Sequence, residues 1–90
     1  MELLDAYAEP LRSFMAADFK ATRKELGITQ LKMAELLDID LRSYANLEHG
    51  KSLCSTPVLL RYICFCMEDP SPYLKHIKQI MESSGQMLAG

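Results

Sequence analysis

Arg42 and Asn46 stand four residues apart in the stretch LRSYANLE, and on an α-helix that spacing places both side chains on one face. The planar fork of an arginine matches the O6 and N7 acceptors of guanine, and an asparagine carboxamide matches N6 and N7 of adenine. Leu41, Ser43, Ala45 and His49 complete the side of this helix that its apolar positions leave free. Leu41 is suited only to a thymine methyl or to packing on sugar. His49, at the end of the helix, suits the negative end of the helix dipole or a phosphate. The competing reading is a helical hairpin whose polar face is merely solvated.

Other chemistries find little support. The chain has no nucleophile–base pair, no metal-ligand spacing and no glycine loop to cradle a phosphate, so neither an enzyme nor a bound metal or cofactor is expected. His76, the other histidine, reads as a solvated helix residue. Cys54, Cys64 and Cys66 form an odd set. Side chains two apart on a helix diverge, so Cys64 and Cys66 are badly placed to bridge each other. A zinc site would want ligands in closely spaced pairs. Buried thiols acting as small apolar fillers are the expectation.

The segment that must position Arg42 and Asn46 is Thr29 to Gly50, TQLKMAELLDIDLRSYANLEHG. Its spacing predicts one helix over Gln30–Leu37 and a second over Leu41–Glu48, with Asp38-Ile39-Asp40 as a three-residue turn. Two helices of about two turns each, so closely joined, must cross steeply and pack directly. That is helix-turn-helix geometry, and its second helix has the size to enter a DNA major groove. Met33, Ala34, Leu36 and Leu37 form the apolar stripe of the first helix, and Ile39, Tyr44 and Leu47 the facing wall. Thr29 and Asp40 are suited to cap the two N-termini. Gly50 follows the second helix where a left-handed stop is wanted.

Upstream, Glu2 to Ala8 reads as a short helix with Leu3, Leu4 and Tyr7 on one face, and Pro10 marks a kink or a new start. Leu11, Phe14, Met15, Phe19, Thr22 and Leu26 recur at three and four, predicting a helix from Pro10 to Leu26 that Gly27 stops. Arg23 falls on or beside its apolar face and needs a partner there. Downstream, Lys51 to Ser55 reads as a loop, and Thr56-Pro57 as the cap and first residue of a helix reaching about Met67. That helix is apolar all round except at Arg61, which predicts burial on most sides. Ser71-Pro72 opens a last helix to about Ser83, with Tyr73, Leu74, Ile77, Ile80 and Met81 as its apolar face. The tail 86–90 has no reason to be ordered. The expectation is one all-α domain over residues 1–90.

Nearly half the residues are apolar, at 49%, enough for a compact core without disulfides or metal. No apolar run approaches the length of a membrane span, and the N-terminus carries acids where a secretory signal carries bases, so a cytoplasmic chain is expected. The net charge of −2 is unevenly spread: residues 1–19 carry −3, residues 20–51 carry +1 and residues 52–90 balance. Binding to a polyanion would therefore lean on specific contacts and on dimerisation more than on phosphate charge.

The register from Arg23 to Ile63 resembles the Cro/C1-type helix-turn-helix of the XRE family. It carries R-x-x-L-G-I-T-Q before the motif, A-E-L-L inside it, L-E-x-G-K closing it and L-L-R-Y-I in the helix beyond. The resemblance implies a compact lambda-repressor-like fold of five short helices, the second and third forming the DNA-binding pair, here with an extra N-terminal helical turn. It implies that Gln30 contacts a backbone phosphate and braces the recognition helix. Leu41, Arg42 and Asn46 would read bases, and Ser43 and Lys51 would meet phosphates. It also implies a buried structural ion pair between Arg23 and Glu48. The chain departs from the family pattern at four positions. Asp38 replaces the usual turn glycine and must tolerate a left-handed conformation. Asp40 replaces a serine or threonine cap and sets a negative charge near the phosphates. Leu41 replaces a frequent polar reader. Lys32 replaces a common glutamate, losing a capping box and gaining a cation at the DNA-binding face.

The expected function is a sequence-specific regulator of transcription, a repressor acting by operator occupancy as a dimer on double-stranded DNA. Phe65, Met67, Tyr73 and Met81 are the apolar residues suspected at a subunit interface. The alternative is a protein-interaction module on the same fold, an antitoxin, anti-repressor or inhibitor, holding its partner through an acidic face, motivated by the N-terminal acids Glu2, Asp5 and Glu9 and by Asp38 and Asp40.

Overall fold

The computed structural model describes residues 2–89, with side chains over residues 8–83. Five helices follow in order, α1 (Glu2–Leu26), α2 (Gln30–Leu37), α3 (Leu41–Glu48), α4 (Thr56–Cys66) and α5 (Ser71–Ala89), with no strand among the described residues. The protein is thus all-α, with five helices among the described residues.

Helix α1 continues through Pro10, so of the kink or fresh start expected there, no fresh start occurs. Proline's fixed φ is itself helical. What it forfeits is one backbone hydrogen bond, and the turns on either side carry the helix through. The expected face of Leu3, Leu4 and Tyr7 lies outside the residues with described side chains. Gly27, at φ +68°, ends α1 in the left-handed conformation that glycine adopts without strain.

The caps of the next two helices are local hydrogen bonds. Thr29 Oγ1 accepts from the Lys32 amide at 3.1 Å, and Asp40 Oδ2 from the Ser43 amide at 3.3 Å. Asp38 closes α2 at φ 60°, ψ 43°, the one described non-glycine residue with positive φ, and its amide reaches the Ala34 and Glu35 carbonyls. Aspartate therefore does what glycine does elsewhere, at some cost in backbone energy.

Helix α4 differs from expectation in two ways. Its cap is Ser55, one residue before Thr56, and the helix ends at Cys66 with Met67 already extended. More consequentially, only Val58 and Tyr62 are buried. Leu60 and Phe65 are 55% and 61% exposed, and the Cys64 thiol is exposed rather than a core filler. Cys54 and Cys66 are half-buried, and burial raises both their pKa values. An apolar composition buries a helix only where neighbours cover it, and α4 packs chiefly on α2.

Helix α5 continues to Ala89, past the expected close near Ser83, because Gln86, Met87, Leu88 and Ala89 are good helix formers and a single glycine costs only about 1 kcal/mol. The expectation of an unordered tail falls on residues 86–90, whose side chains lie outside the described set. Tyr73, suspected at a subunit interface, is instead a core residue at 6% exposure. Met67 is half-buried, whereas Phe65 and Met81 are exposed.

Phe19 is the hub of the core. Its ring meets Tyr44 edge-on at 6.1 Å and Tyr62 at 4.4 Å, with Met33, Leu37 and Leu47 packed into the same cluster. Such aromatic contacts add to the burial term, and helices α1, α2, α3 and α4 all contribute side chains. Replacing Asp38 by glycine should relieve the left-handed strain and raise stability by about 1 kcal/mol. Asp38→Val should lower it by a similar amount. Urea unfolding of the three proteins tests the ordering.

Candidate nucleic-acid interface

Helix α3 has an inner and an outer side. Tyr44, Leu47 and Glu48 are buried, and Leu41, Arg42, Ser43 and His49 are exposed. Helical spacing puts Arg42, Ala45, Asn46 and His49 on one outward strip, directly opposite the buried side. Asn46 and Ala45 are half-buried at the edge of that strip. Leu41, 44% exposed, flanks it on one side and Ser43 on the other.

A single carboxylate holds the helix at its inner side. Glu48 accepts from Arg23 Nε at 2.6 Å and Nη2 at 3.3 Å, from Gln30 Nε2 at 3.0 Å, and from the Tyr44 hydroxyl. Four donors fill the acceptor positions of the two oxygens. Arg23 spends a further donor on the Ile28 carbonyl at 3.2 Å, so α1 is tied to the loop that leads into α2. Glu48 retains only 3% of its side-chain surface and Arg23 only 16%. Burial pushes the Glu48 carboxyl up, but the bonds from Arg23, Tyr44 and Gln30 outweigh it and hold the group below the ordinary carboxylate range. The same bond to Glu48 raises Arg23, and burial together with Glu48 raises the Tyr44 hydroxyl. The charge of this pair is fixed at any physiological pH.

The other expected contacts lie around α3. Gln30, half-buried, gives its amide to Glu48 and keeps its carbonyl oxygen free of described partners. Lys32 is exposed, its Nζ 3.9 Å from Glu35. Ser43 is engaged twice by Asp40, through its amide and its hydroxyl, and those bonds hold the Asp40 carboxyl low and charged. His49 caps α3, and Lys51 is exposed beyond it with its amide on the Asn46 carbonyl at 2.9 Å. Arg42, His49, Lys32 and Lys51 of the motif are all exposed, as are Asp38 and Asp40.

Three polar anchors escaped the pattern of the sequence. Tyr44 was read as apolar wall, yet its hydroxyl serves Glu48 one turn along. Buried Tyr and Glu at i and i+4 on one inner face were the available signal. The Tyr62 hydroxyl donates to the Asp18 carboxylate at 2.5 Å and lies 2.8 Å from Thr22 Oγ1, joining α4 to α1. Arg61 donates from Nε to the Leu36 carbonyl at 3.0 Å, satisfying the last turn of α2. Neither pairing has a local spacing to reveal it. Among the described residues no group of His, Cys, Asp and Glu could hold a metal ion.

Removing the Arg23 side chain leaves Glu48 buried without its cation, so Arg23→Leu should cost about 3–5 kcal/mol in urea unfolding. The lowered Glu48 pKa also sets a sign. Its contribution is complete above the ordinary value of 4.5 and is lost as pH falls below that through the lower folded-state value. Unfolding free energy should therefore drop on acidification below pH 4.5, and Glu48→Gln should make that drop shallower. Equal slopes for the two proteins would contradict this account.

A family model described as a helix-turn-helix domain matches residues 17–70, from within α1 to the residue before α5. No curated protein and no solved structure gives a significant match. The matched span holds the capped helix pair, the left-handed turn at Asp38 and the Arg23–Glu48 brace, and on that ground the chain belongs to the helix-turn-helix domain family, of Cro/C1 type.

Proposed function

We propose that this protein is a sequence-specific DNA-binding regulator of transcription, a cytoplasmic repressor that acts by occupying its operator as a homodimer. The observation that carries the reading is the division of α3: the inner side is clamped by Glu48, and the outer strip offers Arg42 and Asn46 with no hydrogen bond among the described residues to occupy their side chains. In this reading Arg42 takes a guanine and Asn46 an adenine, while Leu41 packs on a thymine methyl or sugar. Gln30, Lys32, His49 and Lys51 surround that strip and meet phosphates, and Ser43 joins them once its hydroxyl leaves Asp40.

Dimerisation follows from the weak electrostatics. One copy neutralises few phosphates, and two copies on a two-fold axis place their recognition helices one DNA turn apart, about 34 Å. The exposed Leu74 and Met81, seven apart on α5, supply an apolar strip for that contact.

Selection from a randomised duplex pool across a salt series tests the reading. A near-palindromic site should be enriched by the wild type and lost in Arg42→Ala/Asn46→Ala. Absence of any enriched site at low salt, with wild type and variant alike, would sink it. A second expectation concerns Asp40, whose charge sits at the DNA-facing end of α3. Asp40→Ser keeps a capping oxygen and removes the charge, so affinity for the selected site should rise several-fold with little change in thermal stability.

A further inference from the structure

A concavity lies along another side of α1. Phe14, Asp18, Thr22 and Glu25 repeat at three and four along a strip distinct from the Phe19–Arg23 strip that meets α3. With the end of α4 and the start of α5 they enclose a groove of about 780 Å³. Its walls are aromatic. Phe14 and His76 stack with centroids 4.2 Å apart and planes 5° apart, and Phe65 stands 61% exposed at the rim. Buried Tyr73 also lines it, and its hydroxyl has no hydrogen-bond partner among the described residues.

The charged side chains of the lining, Asp18, Glu25, Glu68 and Asp69, are all acids. Asp18 and Asp69 already accept bonds, from Tyr62 and from the Ser71 amide. Glu25 and Glu68 are exposed and without an ion-pair partner among the described residues. The neighbouring cation, Arg61, lies 5.1 Å from the Phe65 ring and is tied to the Leu36 carbonyl.

Aromatic faces and carboxylates attract the same ligand class, a cation with an apolar stem. An exposed apolar groove rimmed by one sign of charge marks a docking surface, and complementarity sets the sign of the occupant. A second copy seated groove to groove fits poorly. A two-fold contact opposes each patch to itself, so the acids of one copy would face those of the other. We propose that the α1/α4–α5 groove docks a segment of a partner polypeptide that carries Lys or Arg beside an apolar side chain. Because the groove uses a different strip of α1 from the one that supports α3, the partner engages without occupying Arg42 or Asn46.

The test selects phage-displayed random dodecapeptides on the full chain, with Glu25→Lys/Glu68→Lys as counter-target. Both residues are exposed, so circular dichroism should show an unchanged fold, and Phe65→Ser serves as an independent second variant. Enriched peptides should pair Lys or Arg with Leu, Ile or Phe. A synthetic copy should bind the wild type about tenfold or more tightly than either variant. It should shift the amide resonances of Phe14, Phe65 and His76 and leave those of Arg42 and Asn46 in place. No enrichment, peptides without a cation, equal affinity for wild type and variants, or shifts confined to other surfaces would each overturn the proposal. The measurement contains no DNA, so its outcome is independent of operator binding.

Discussion

The carboxylate of Glu48 is the constraint on which this structure turns. It sits at the end of α3, is almost wholly removed from water, and receives donors from three helices: Arg23 on α1, Gln30 on α2 and Tyr44 on α3 itself. A buried carboxylate with an acceptor site empty would cost several kcal/mol, so each donor is obligatory once the others are placed. A buried pair of this kind adds little net stability over an apolar replacement. Its consequence is geometric. The bidentate fork of Arg23 admits a narrow range of approach, and that sets how α3 lies against α1.

This internal clamp determines what the outer face of α3 presents. Tyr44, Leu47 and Glu48 face inward at three- and four-residue spacing, so Arg42 and Asn46 can only face outward. The side chains proposed to read DNA have no hydrogen bond among the described residues that fixes them. They are placed by residues on the far side of the same two-turn helix. The cap from Asp40 and the left-handed Asp38 then set where α3 begins and how it departs from α2. The acids that do this structural work also lie at the rim of the proposed DNA contact, so turn geometry and phosphate affinity oppose each other at Asp38 and Asp40.

Helix α1 is shared among several neighbours. One strip meets α3 through Phe19 and Arg23, and another borders the acidic groove near the start of α5. Tyr62 binds α4 to this second strip through Asp18 and Thr22, which gives the groove a fixed wall, and Glu25 has no ion-pair partner among the described residues. Leu60 is exposed because it lies on the side of α4 opposite the buried Val58 and Tyr62, whereas Phe65 is exposed at the open rim of the groove.

What the sequence by itself determined is everything settled within a few residues of chain. Thr29 and Asp40 cap their own first turns, Gly27 and Gly50 take positive φ, and the three-residue turn follows from the short distance between two periodic segments. The bounds of α2 and α3 were legible for that reason, as was the inward set of Met33, Ala34, Leu37, Tyr44 and Leu47. The need of Arg23 for a partner could be read from its place beside an apolar stripe, and the family register named Glu48. Tertiary structure alone decided the rest. Apolar patterning cannot tell which side of α4 a neighbour covers, nor that α1 runs on through Pro10. Gln30 and Tyr44 meet Arg23 on one carboxylate only once three helices have packed. The groove between α1, α4 and α5 likewise has no local signature, because its walls come from segments some forty residues apart in the chain.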